Sequence, residues 1–193
     1  MVRTPAETRA PRALVSSIEI LGVTLALFHL VLTQTAFLES LLVQNFHLGV
    51  SITLVALAFA AERHGLQRRF TIALALAGLL AMLYVFWQFD TLINSQGFPR
   101  PVDMVVGVAL MAVVFAVTWL QWGPVLPMLS IGCVLYYLLG HLLPANWGAP
   151  YAPFSTVVSN LSIGLYSGVY GTFMAISAND VFLFMVFGGL LVI

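Results

Sequence analysis

Solid apolar blocks separated by short polar breaks run along this chain, near 17–36, 46–61, 70–89, 102–120 and 125–143, with a last one near 173–193. Each approaches the roughly 20 apolar residues that a helix needs to cross a bilayer. Barrel strands would show alternating segments of about ten residues, and the blocks do not alternate. The breaks carry residues that prefer water or interrupt helices: Glu39 to Asn45, Glu62 to Arg69, Asp90 to Pro101, Gln121 to Pro124 and Pro144 to Pro153. The pattern predicts an all-α integral membrane protein of about six transmembrane helices plus one short interfacial or re-entrant helix.

That extra element comes from residues 144–172, which hold no charge yet are too polar and glycine-rich to span. Phe154, Val157, Val158, Leu161 and Leu165 recur at helical spacing, with Ser155, Ser159, Asn160 and Ser162 mainly on another face. A peripheral amphipathic helix usually bears basic residues on its polar face, and none is present. Irregular backbone at membrane depth must be shielded from lipid, so cover is expected from protein outside this chain. The resulting organisation is a polar tail at 1–14, a five-span region at 15–143, a connector at 144–172 and a further apolar region at 173–193, still running at Ile193 and so expected to be truncated.

Composition closes off the alternatives. Hydrophobic residues make up 61% of the 193, mean hydropathy is +1.03, and 7% are charged, against about a quarter in a soluble domain. No water-exposed surface can be built from that supply, so soluble, disordered and disulfide-scaffold classes fall. The seven cations, all arginine, balance seven acids; with no basic patch, no nucleic-acid partner is expected, and membrane lipid is. The lone Cys133 lies in an apolar run and reads as a buried, inert thiol.

Arginine placement orients the helices. Arg3, Arg9 and Arg12 precede the first block and Arg63, Arg68 and Arg69 fill the break after the second, whereas the 37–45 and 90–101 breaks hold only Arg100. By the positive-inside bias the N-terminus and the 62–69 loop are cytoplasmic, in a multi-pass protein whose first block is a retained anchor.

Candidate chemistry is sparse. Walker, Rossmann and H-E-x-x-H patterns are absent, and His29, His47, His64 and His141 are not spaced i, i+3 or i+4, so neither enzyme activity, catalytic residues nor a metal site is expected. Glu19 reads as an interfacial residue or a partner of Arg12, and Asp103 as a helix N-terminal cap. Ser177, Asn179 and Asp180 form a polar cluster inside the last block, either a weak transport-site candidate at a helix break or a capped turn. Gly164 and Gly168 form a G-x-x-x-G, and Ser167 with Gly171 a second small pair, which predicts helix packing. No internal repeat is found.

Several segments, in order, resemble the fused membrane subunits of TRAP transporters. They are Asn45-Phe46-His47-Leu48-Gly49, Gly97-Phe98-Pro99 with Val102-Asp103-Met104-Val105-Val106-Gly107, Gly123 with Leu126-Pro127, Tyr136-Tyr137, and Gly140 to Pro144. The stretch from Gly164 to Gly171 and then Val181 to Gly189 is the most family-like. The chain departs where that family carries an acidic residue and a double arginine, holding Ala116 and Trp119-Leu120 around a retained Thr118. The resemblance implies the scaffold part of a sodium-coupled secondary importer of carboxylates in a bacterial or archaeal cytoplasmic membrane. Its partners would be the remaining large-subunit helices and an extracytoplasmic solute-binding protein. Sodium would bind in the large-subunit region, so no cofactor is expected in this chain, which would not transport alone. The rival readings are a quinone- or haem-binding subunit using His29, His47 or His141, which requires two facing histidines at one depth, and a stand-alone small channel or regulatory subunit.

Overall fold

The computed structural model describes residues 11–35, 38–144 and 146–191. Arg3 and Arg9, and the last two residues of the 173–193 block, lie outside them. The described residues are predominantly helical and include no strand, and six of their helical stretches are long and apolar enough to cross a membrane. The all-α membrane architecture therefore holds. In order come α1 (Arg12–Thr35), α2 (Ser40–Glu62), α3 (Gly65–Trp87), the short α4 (Phe89–Asn94), α5 (Pro101–Trp122) and α6 (Val125–Leu139), which a 3-10 turn at Gly140–Leu142 extends. Next, α7 (Phe154–Val158) continues into a π turn at Ser159–Ile163. Lastly α8 (Thr172–Ile176) and α9 (Phe182–Leu191) are joined through a π turn at Ser177–Val181 into one stretch of 20 residues.

Helix boundaries run past the apolar blocks. α2 begins at Ser40, so Gln44 and Asn45, which hydropathy assigns to a break, are buried inside it. At its other end Arg68 Nε donates to the carbonyls of Ala60 (3.0 Å) and Arg63 (2.8 Å). A cation there satisfies carbonyls that a helix leaves unpaired and faces the negative end of its dipole. The α2–α3 hairpin closes on small residues: a Cβ on Gly49 would stand 2.6 Å from Met82 Cβ, and one on Gly78 2.6 Å from Ile52 Cγ2. Lipid supplies no hydrophobic drive between helices, so such close backbone approach is what holds them. α5 lays Asp103, Gly107, Leu110, Val113 and Val117, one buried stripe, against α3 and the connector.

Part of the connector is covered by this chain itself, while Trp147, Tyr151, Phe154 and Tyr166 are exposed. Val157, Val158, Ile163, Leu165 and Tyr170 are buried, packed chiefly on α5 and α2. Ser159 and Ser162, expected on an outer polar face, are buried with them. The Ser162 hydroxyl donates to the Val158 carbonyl (2.6 Å), and Ser159 Oγ accepts the Gly97 N–H (3.3 Å). Tyr170 donates to Asn45 Oδ1 (2.8 Å), and burial pushes its phenol pKa up. Gly164, Gly168 and Gly171 do not form a helix-packing face, because 164–171 is mostly not α-helical. Gly168 has φ +57°, and a Cβ there would collide with the Leu161 carbonyl, so the glycine is required by the turn. Cys133 is exposed on α6, contrary to the buried thiol expected.

Gly49→Leu and Gly78→Leu are each expected to force α2 from α3 and destabilise the protein by about 1–3 kcal/mol. Gly22→Leu, with no neighbouring atom within 4 Å of its Cβ position, should change little. Thermal unfolding of purified protein in detergent checks both; equal loss from all three would refute the packing argument.

Candidate functional site

α1 and α2 run antiparallel across a short turn, and His29 and His47 lie nearly equally far from it. At about 1.5 Å per helical residue both sit roughly 10 Å in from the turn. They meet directly: His29 Nε2 and His47 Nδ1 are 2.8 Å apart in a buried hydrogen bond, with ring planes 15° from parallel. One ring donates and the other accepts, so when both are neutral one outer nitrogen is a donor and the other an acceptor. Phe182 stands edge-on to both rings, at 4.8 and 5.1 Å, which brings the last helix to the pair.

A cavity of about 230 Å³ opens beside His29, with Ser40 and Asn179 as further polar lining and Leu32, Val43 and Leu183 among its apolar walls. Gln44 is buried; its amide nitrogen donates to Ser40 Oγ (3.3 Å), and its Oε1 has no partner among the described residues. Because Ser40 already accepts that bond, its own hydroxyl proton is available to something in the cavity. The π turn at 177–181 falls at this place, and such insertions are frequent at functional sites. Of the three residues singled out in the last block, only Asn179 lines the cavity; Ser177 is half-buried and Asp180 is exposed. The helix neither breaks nor starts there; it continues through the cluster.

In this geometry no metal ion can sit between the two bonded nitrogens. Metal–nitrogen bonds are about 2 Å long, so an ion between these nitrogens would hold them well beyond hydrogen-bonding range. No group of three or more histidine, cysteine, aspartate or glutamate side chains is placed to hold a metal among the described residues. His141 is paired edge-on with Tyr151 instead (5.0 Å), and His64 lies against Arg68.

A second polar cluster sits where α3 ends and α5 begins. Asp103 is fully buried and accepts from Tyr84 (2.5 Å), from the Arg100 backbone N–H (2.8 Å) and from the Arg100 guanidinium (2.9 and 3.0 Å). The predicted cap at Asp103 is present and does more, since Tyr84 ties it to α3. Its carboxylate holds the Arg100 pKa above the ordinary arginine value, chiefly through their hydrogen bond. Glu19 is exposed and makes no ion pair with Arg12.

Helical spacing could not have found the histidine pair, which is 18 residues apart. The usable signal is symmetry about the turn, because antiparallel neighbours pair residues equidistant from it. Comparison with protein-family models, curated proteins and solved structures gives no match for this chain.

His47→Leu is expected to leave His29 buried without its bond and to cost about 1–3 kcal/mol, whereas the His29→Leu/His47→Leu double variant should cost less than the two single changes added. Asp103→Ala, which orphans the Tyr84 hydroxyl, should cost a similar amount and more than Glu19→Ala. Unfolding in detergent measures each; strict additivity at the histidines would argue against their bond.

Proposed function

We propose that this chain is the scaffold part of the membrane permease of a sodium-coupled, binding-protein-dependent TRAP-type importer of carboxylate solutes. The observation that carries the reading is an asymmetry of burial: 61% of the α2 span is buried within the protein, but only 6% of the last helical stretch. The α1 and α6 spans are each 11% buried, so α2, α3 and α5 form the inner part of a wall, and in this reading the open surface of the last stretch meets further protein. In this reading the wall keeps a fixed depth while a transport element, made of large-subunit helices, slides past it with solute and sodium. Arg12 and the Arg63–Arg69 turn lie at the same end of the bundle, which favours a cytoplasmic N-terminus. Secondary transporters use helix interruptions near solute and ion sites, and the exposed Asp180 of the π turn would face the moving element.

The His29–His47 pair is the one observation on the side of a cofactor-holding subunit. Their direct bond leaves no place for haem iron between the two rings, so the form of that rival the geometry favours is a quinone in the adjoining cavity.

Proteoliposomes holding this chain alone should show no sodium-driven uptake of radiolabelled carboxylates. Uptake should require a large membrane subunit and a solute-binding protein as well. Transport by the chain alone would overturn the scaffold reading, and a stoichiometric quinone in a solvent extract would transfer support to the rival.

A further inference from the structure

We infer that the groove between the start of α3 and the end of α5 is a binding site for an anionic phospholipid. The groove encloses about 440 Å³ and is lined by Arg63, Leu66, Gln67, Phe70, Thr71 and Leu120. Its lining is divided by chemistry. Arg63 and Gln67 form a polar edge at the α2–α3 turn, while Leu66, Phe70 and Leu120 make an apolar trough. Leu66 is 81% exposed and Phe70 53%, so the trough lies open on the surface of the bundle.

The charge at the polar edge is not consumed inside the protein. Of the three arginines in the turn, Arg68 is committed to the carbonyls that end α2. Arg63 has only a long contact to Gln67 Oε1 (3.5 Å), and Arg69 is exposed with no partner among the described residues. Glu62 stands next to Arg63 in sequence but forms no ion pair with it among the described residues. No side chain caps the N-terminus of α3, a helix of 23 residues, and no acid occupies its first turn. Its positive end therefore adds to the two guanidiniums.

A phosphodiester with an acyl chain below it matches this arrangement on both counts. The headgroup phosphate takes bonds from Arg63 and Gln67, with Arg69, next to Phe70 in sequence but not lining the groove, adding only longer-range charge, and the chain lies along Leu66, Phe70 and Leu120. Basic pockets between helices on a cytoplasmic face are suited to such headgroups. A second copy of this chain is a poor occupant, since face-to-face docking would bring the two arginine turns together. A soluble phosphate would leave the apolar trough empty. The inference rests on the fold alone and stands independently of the transport reading.

The test is native mass spectrometry of the purified full chain, with phosphatidylglycerol and phosphatidylcholine of matched chains added in equal amounts. Phosphatidylglycerol should be retained preferentially. Arg63→Gln should weaken that retention about fivefold, and Arg63→Gln with Arg69→Gln more than tenfold, given the usual attraction of each basic residue for an anionic surface. Leu66→Glu, which keeps every arginine but places a carboxylate in the trough, should also lose the lipid. Arg12→Gln, at a residue of the same end that does not line the groove, should retain it. Equal retention of the two lipids, or phosphatidylglycerol binding unchanged by Arg63→Gln and Leu66→Glu, would overturn the site. So would displacement of the lipid by inorganic phosphate alone, or a dimer abolished by Arg63→Gln.

Discussion

Asn45 is 1% exposed and uses both ends of its amide, donating to the Met82 carbonyl (3.0 Å) and accepting from the Tyr170 hydroxyl (2.8 Å). One side chain thereby fixes α2 to α3 and to the connector, segments 37 and 125 residues away along the chain. The constraint behind it is general in hydrocarbon: without water, each buried polar group must find its partner inside the protein. α2 concentrates that demand. Gln44, Asn45, His47 and Thr53 are all buried on it. Asn45 and His47 are met by other elements, and Thr53 bonds back to the Gly49 carbonyl (2.7 Å) while reaching towards Ala75. The elements around α2 are positioned as much by these obligations as by apolar contact.

This explains what could and could not be read from the sequence. Hydropathy located all six membrane-length helices, because span length is set by the bilayer and is written in consecutive apolar residues. It misplaced the start of α2, since Gln44 and Asn45 look like loop residues until their partners are known. It also grouped Ser159 and Ser162 with Ser155 and Asn160 on a polar face of the connector, although Ser159 and Ser162 are buried. The cap at Asp103 was legible, being local; its bond to Tyr84 was not, because that depends on where α3 ends relative to α5. The sequence singles out His29, His47 and His141 as histidines of which two could face each other, but which two was not legible, for the same reason. Contacts between helices follow the geometry of turns, and spacing within one helix does not record them.

The two ends of the bundle handle their charges differently. At one, Arg100 and Asp103 form the single ion pair found among the described residues, backed by Tyr84 and by Gln88, which accepts from Arg100 at 3.0 Å. With Arg100 half-exposed, solvent screens the pair, so its role is to join α3 to α5 more than to add stability. At the other, Arg68 spends its donors on α2 carbonyls while Arg63 and Arg69 point outward. The same residue type thus closes the structure at one end and leaves a positive surface at the other.

The last helical stretch inverts the logic of α2. There Asp180 is not turned inward: it is exposed and makes no hydrogen bond among the described residues, in the middle of a stretch flanked by Phe173, Phe184 and Leu191 on the surface. A carboxylate facing lipid at the centre of a span costs about 2.5–3.5 kcal/mol on insertion scales, and such residues almost always face protein or a water-filled cavity. Phe182, against the histidine pair, holds one side of this helix to α1 and α2, which leaves the opposite side free. Asn179 turns to the cavity beside His29, so the cost falls on Asp180, which no described side chain offsets.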